Sequence, residues 1–244
     1  MRAYPGSFVT REQDEGALVL AVVGLSKEER LASGQGIAVA GAGGNPLRLR
    51  TMLDGRAPAG LRAVVSFGIA GGLDPGLKPG DVIVASGIAA RSCRYDTDPA
   101  VTARLRETLG RSGFRAAHAE LAGVDEAVLS VAGKAALRNS TGAAAVDMES
   151  HVAAAFALRH GLPFAAVRAV CDPADRALPA FVATALKPNG DSDILAVLAA
   201  VIGRRASIGY LVRLARDSSA AFGTLTRCRR SLGHHLGLLS AESA

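Results

Sequence analysis

Between residues 17 and 172, short continuous apolar runs alternate with stretches whose apolar positions recur at helical spacing. Ala17–Gly24 reads as a buried strand, and Ser26 is placed to cap a short helix carrying Lys27, Glu28, Glu29 and Arg30. Gly36–Ala40 is a second strand. It runs into Gly41-Ala42-Gly43-Gly44, after which Asn45 suits an N-cap and Pro46 a first helical position. Ala63–Gly68 is a third strand, followed by a glycine-rich turn over Gly68–Gly76, and Asp81–Ala90 is a fourth. The pattern then predicts a helix over Asp98–Ser112, strands at Ala116–Leu121, Ala143–Val146 and Phe164–Val170, and a helix over Glu149–His160. Beyond Asp193 it is helical to the end. Buried strands separated by helices define an α/β fold, with a central, mostly parallel or mixed sheet flanked by helices and a helical C-terminal extension. The expected organisation is a loose arm over 1–16, one domain over 17–190 and a basic helical extension over 191–244.

Composition sharpens this picture. A chain of 244 residues can bury a sizeable core, and with aromatics at 4% that core is aliphatic. Three scattered cysteines, Cys93, Cys171 and Cys228, make no disulfide framework and point to a reducing compartment. The longest apolar runs, Ala17–Leu25 and Ile194–Ile202, have nine residues each, against the ~18–20 that a spanning helix needs. Glu12, Asp14 and Glu15 precede the first run where a secretory leader would be basic, so the expected location is cytoplasmic. The net charge of +6 is unevenly spread: seven arginines and two acids give 201–244 a local +5 and leave +1 for the rest. The aromatics of that basic tail are Tyr210 and Phe222, too few for a base-stacking surface, which argues against a nucleic-acid partner. The five histidines form no ligand-spaced set, so no metal site is expected.

Ligands of open α/β sheets bind beyond the carboxyl ends of the strands. The informative segments there are Gly24–Arg30, Gly41–Arg48, Gly68–Gly72, Val146–Glu149 and Val170–Asp172. Each also has a plain structural reading, as a tight turn or a helix cap. The backbone N–H groups of Gly43 and Gly44 at a helix start, with Arg48 one turn on and Lys27 and Arg30 nearby, could cradle an anion. Val39–Gly44 carries part of a dinucleotide fingerprint without its third glycine, so a non-catalytic nucleotide-binding module is a reading of a different class.

Taken in order, these segments resemble the nucleoside phosphorylase and nucleosidase superfamily. The resemblance rests on a first strand ending in Gly24 with acids a few residues on, Ser66-Phe-Gly-Ile-Ala-Gly-Gly-Leu73, Gly80-Asp-Val-Ile-Val84, Val146-Asp-Met-Glu-Ser150 and Arg168-Ala-Val-Cys-Asp172. It implies cleavage of the N-glycosidic bond between a purine and a ribose, which develops positive charge on the sugar and negative charge on the base. By this resemblance Asp172 protonates the purine, which requires burial to raise its pKa. Glu149 grips the ribose hydroxyls, and Met148 packs on the sugar. Gly68, Ala70 and Gly71 line the path of nucleoside and nucleophile, and Glu28 or Glu29 activates water. Two positions depart from the pattern: Ile69 stands where many relatives have a hydroxyl residue, and Cys171 where a serine often precedes the acid. Phosphate, if it is the nucleophile, would sit on Gly24, Gly43, Gly44 and Arg48.

A narrower similarity, carried by Ser66–Pro75, Asp147–His151 and the arginine-rich tail, is to the hopanoid-associated phosphorylases. It implies adenosylhopane, a triterpenoid lipid bearing adenosine, as substrate, with phosphate as co-substrate and no cofactor. Homo-oligomers are the rule in the superfamily and are expected here. The rival within it is a methylthioadenosine or adenosylhomocysteine nucleosidase that uses water. Ile208, Leu211, Val212 and Ala215 share one helical face flanked by Arg205, Arg213 and Arg216, an arrangement suited to peripheral membrane contact.

Overall fold

The computed structural model describes residues 18–178 and 208–238. Its strands are β1 (Leu18–Val23), β2 (Ile37–Gly41), β3 (Leu61–Gly72), β4 (Val82–Ala89), β5 (Arg94–Asp96), β6 (Ala117–Gly123), β7 (Ala145–Asp147) and β8 (Phe164–Asp172). The helices are α1 (Ser26–Ala32), α2 (Pro46–Asp54), α3 (Pro99–Arg111), α4 (Val131–Thr141), α5 (Ser150–Arg159) and α6 (Ile208–Leu232). Strands β2, β1, β3 and β8 run side by side in parallel. β8 then pairs antiparallel with β4, β4 parallel with β6, and β6 parallel with β7. β7 returns to pair antiparallel with Gly71 and Gly72 at the end of β3. The mixed sheet therefore curls into a ring of β3, β8, β4, β6 and β7, and the end of β3 is its seam.

The continuous apolar runs have a simple cause. Val19, Ala21 and Val23 of β1 face one side of the sheet, against α3 and α6, while Leu20 and Val22 face the other, against α2 and α5. A strand covered on both faces has no position to spare for a polar residue. Helix α6 is fixed by its C-terminal half: Ala221, Phe222, Leu225, Cys228 and Leu232 are buried among Val65, Phe67 and Val167. Phe222 and Leu225 each contribute about 1.5–3 kcal/mol by that burial. Its N-terminal half carries exposed Val212, Arg213 and Arg216. Arg205, with the rest of the helical pattern predicted over 194–207, lies outside the described residues, as does the arm over 1–16. Among the described residues no helix is long and apolar enough to cross a membrane.

The helix starts differ in how well they match expectation. Asn45 caps α2 by accepting the Arg48 N–H at 2.9 Å, with Pro46 as the first helical residue. Ser26 is not the cap of α1 but its first residue, and Leu25 occupies the cap position. The Glu28 carboxylate takes over the capping by accepting the N–H groups of Gly24 and Leu25. The glycine-rich turn expected from Gly68 is instead a continuation of β3 to Gly72. Gly68, Gly71 and Gly72 all have negative φ, so turn geometry is not what requires them. Two elements escaped the pattern: β5, three residues long, and α4, whose one fully buried residue is Lys134.

Candidate active site

The carboxyl ends of β1, β3, β7 and β8 bring a set of buried charges together. Arg168, in the middle of apolar β8, has no exposed surface. Its Nε lies 3.0 Å from Asp147 Oδ2, and its Nη2 donates to Ser66 Oγ at 2.6 Å and to Glu149 Oε2 at 3.4 Å. Asp147 Oδ1 accepts the N–H groups of Glu149 and Ser150, which starts α5 and orients Glu149. The Ser150 hydroxyl bridges Asp147 and Ser66.

Glu28 completes this cluster. Its Oε2 accepts from Gly24 N at 2.7 Å and Leu25 N at 2.8 Å, and its Oε1 accepts from Ile69 N at 2.7 Å. A carboxylate has about four acceptor sites, so one remains for a further donor. Burial raises the Glu28 pKa above the ordinary carboxylate range, opposed by Arg168 and the three backbone donors. A raised pKa makes a better base.

Close approach explains the glycines. A Cβ on Gly68 would sit 2.4 Å from Arg168 Nη1 and 2.5 Å from Glu28 Oε1. One on Gly24 would sit 2.6 Å from Glu149 Oε1. Glycine is needed because side chains from three elements press onto the backbone there.

Asp172 ends β8, paired in register with Gly71, whose other neighbour is Val146 of β7. Asp172 and the Asp147–Glu149 turn thus flank the same end of β3. Desolvation raises the Asp172 pKa, while an ion pair with the Lys134 ammonium pulls it down. Burial pushes the Cys171 thiol up to about 12, so it stays protonated. Met148 is half-buried between Asp147 and Glu149, Ala70 is core, and Ile69 packs its side chain on the core opposite.

Several expected residues are elsewhere. Glu29 is exposed and points toward Gly41 on β2, so of the two neighbouring acids only Glu28 enters the crevice. Gly43 and Gly44 both take positive φ, and Gly44 spends its N–H on Gly24 O at 2.8 Å, which leaves it no free donor for an anion. Lys27 is turned away, its ammonium 4.0 Å from the Phe222 ring centroid, and Arg30 and Arg48 are exposed. Among the described residues Arg168 lies inside the crevice, shared by Glu28, Asp147 and Glu149, and the Lys134 ammonium reaches it through Asp172. The roles of the Ser66 and Ser150 hydroxyls and of the Lys134 ammonium are not apparent from the sequence pattern; an arginine interrupting the apolar run of β8 is the available signal for the charged cluster.

Glu149 has its pKa pushed up to about 8, chiefly by burial, with Asp147 and Glu28 adding to the effect and Arg168 opposing it. The folded protein therefore holds this proton more tightly than the unfolded chain. Glu149 favours folding most below the ordinary carboxylate range, and this contribution fades as pH rises toward 8. Glu149→Gln, which cannot ionise, is expected to melt increasingly above wild type as pH climbs from 5 to 9, by roughly 10 °C at the upper end. Melting curves that stay parallel across that range would contradict the assignment.

A model of the phosphorylase superfamily matches residues 25–202, so the chain belongs to that superfamily of nucleoside-cleaving enzymes. The fold is shared with solved structures at low identity. A Helicobacter pylori methylthioadenosine nucleosidase variant, with 5′-methylthioadenosine in its active site, aligns with a TM-score of 0.61 at 17% identity, covering 77% of this chain and 99% of that one. Futalosine hydrolase of the same organism gives 0.61 at 16%, covering 86% and 97%. The 5′-methylthioadenosine/S-adenosylhomocysteine nucleosidase of Neisseria meningitidis, in complex with methylthio-immucillin-A, gives 0.55 at 20%, covering 85% and 97%.

Proposed function

We propose that this chain is a purine nucleosidase that hydrolyses the N-glycosidic bond of adenosine-type nucleosides, with water rather than phosphate as the nucleophile. The observation that carries this reading is Glu28: a buried carboxylate with one acceptor site left, beside a guanidinium already shared by three carboxylates. Phosphate needs cations to receive it, and the two that reach this crevice are already engaged, Arg168 by Glu28, Asp147 and Glu149, and Lys134 by Asp172, whereas water needs a base and Glu28 supplies one. In this scheme Glu28 takes a proton from water as it attacks the anomeric carbon. Glu149, once ionised, holds the ribose hydroxyls and stabilises the cationic sugar, against which Met148 packs. Asp172 gives its proton to the purine ring nitrogen as the C–N electron pair leaves with the base. Positioned proton transfer of this kind contributes about 10²–10⁴-fold.

The substrate class is an adenosine with an apolar group at its 5′ end. This covers methylthioadenosine, which the Helicobacter pylori relative is solved with, and adenosylhopane, suggested by the narrower sequence resemblance. The test is adenine release from each compound with and without inorganic phosphate. The expected result is release without phosphate, a rate unchanged by adding it, and a free sugar as the second product. Strict dependence on phosphate, with a sugar 1-phosphate formed, would reverse the choice of nucleophile.

A further inference from the structure

Lys134 is a fully buried lysine that the scheme above leaves unused. It is the one fully buried residue of α4, with 1% of its surface exposed. All three of its N–H donors are taken: by Asp172 Oδ2, by Pro173 O at 2.8 Å and by Arg176 O at 3.0 Å. A buried ammonium is costly unless paired and fully hydrogen-bonded, and these partners all come from the short segment that carries Asp172. We propose that Lys134 is a positioning residue for Asp172, holding one carboxylate oxygen from the protein side so that the other is presented to the purine ring. The proposal deepens the nucleosidase reading and rests on it.

The chemistry follows from charge. When Asp172 passes its proton to the purine ring nitrogen, the C–N bond breaks, its electron pair leaves with the base, and a buried carboxylate remains. Lys134 neutralises that carboxylate and so makes the transfer easier, and solvent returns the proton to Asp172 after the base departs. The other charged and titratable groups around Asp172 are accounted for. Arg176, on the same segment, pairs with Asp217 of α6. Tyr210 of α6 donates its hydroxyl to Ala177 O at 2.6 Å. The neighbouring Cys171 stays a thiol. Lys134 is the group that pairs directly with the Asp172 carboxylate.

The test is the pH profile of adenine release from methylthioadenosine for wild type, Lys134→Met and Lys134→Arg. The high-pH limb of kcat/KM reports loss of the acid's proton in the free enzyme. In Lys134→Met that limb is expected to move up by roughly 1–3 pH units, because an opposite charge at contact distance lowers a carboxyl pKa by about that much. kcat should fall by less than the ~10²–10⁴-fold expected for loss of the acid itself, with KM within a few-fold. Lys134→Arg, which keeps the charge, should restore the wild-type limb. A Lys134→Met enzyme with an unmoved limb overturns the proposal while leaving the nucleosidase reading intact. Full activity of Asp172→Asn would instead overturn that reading. Should Lys134→Met not fold, the side-chain ¹⁵N signal of Lys134 in the wild-type protein answers the same question. It is expected to shift at the pH of the kcat/KM limb, and a signal flat through that pH overturns the proposal.

Discussion

Glu28→Gln is expected to lower adenine release by about 10²–10⁴-fold, the range for loss of a positioned base. Two effects combine in this variant. An amide has no basicity to take a proton from water, so the nucleophile is no longer activated. It is also the wrong shape for the hydrogen bonds that Glu28 makes. Oε2 accepts from Gly24 and Leu25, and Oε1 from Ile69, so an amide in either orientation points its NH₂ at a backbone N–H. A buried mispairing of this kind costs about 1–3 kcal/mol, which lowers the melting temperature without unfolding the protein at assay temperature. Glu29→Gln serves as the control. Its side chain is exposed on the same helix, and its activity should stay within about twofold of wild type, as for most surface substitutions. If Glu28→Gln keeps more than a tenth of wild-type turnover, the water-activating role is lost.

The neighbouring acids show how far the sequence could be read. Continuous apolar runs announced the strands because β1, β3 and β8 are covered on both faces, and Asn45-Pro46 announced α2 through its own side-chain chemistry. The same reading left Glu28 and Glu29 open, since the choice depends on where α1 turns its faces toward β3. The Ile69 N–H, forty-one residues away, makes that choice. The glycines of β3 were read as a turn because glycine ordinarily signals one. Their actual cause is the crowding of Arg168 and Glu28 onto the strand, which is a tertiary fact. Helix α4 escapes for a related reason: its fully buried residue is a lysine and Leu137 beside it is only partly buried, so a periodicity built on apolar residues has little to register. The anion cradle at Gly43 and Gly44 is plausible locally, but Gly44 spends its N–H on Gly24, just past the end of β1. What stayed hidden was the partner of each polar group, because those partners lie on other elements.

Asp172→Asn separates binding from chemistry and carries the second large effect. The asparagine oxygen can still accept from Lys134, and its NH₂ can donate a hydrogen bond to the purine ring nitrogen, so nucleoside binding should change little. It has no proton to give up, so kcat should fall by about 10²–10⁴-fold while KM stays within a few-fold. Stability should fall as well above the pH at which Asp172 ionises. There the Lys134 ammonium, 1% exposed, would face a neutral amide in place of its counter-charge, and breaking a buried pair on one side costs about 3–5 kcal/mol. For a chain of this size that lowers the melting temperature by roughly 10 °C. The two losses have separate causes, so they should separate on Lys134→Met/Asp172→Asn. With cation and carboxylate both removed, no uncompensated buried charge is left, and the melting temperature should recover while turnover stays at the single-variant level. Turnover that recovered along with stability would mean that Asp172 only holds the 172–176 segment in place, and the acid would have to be sought elsewhere.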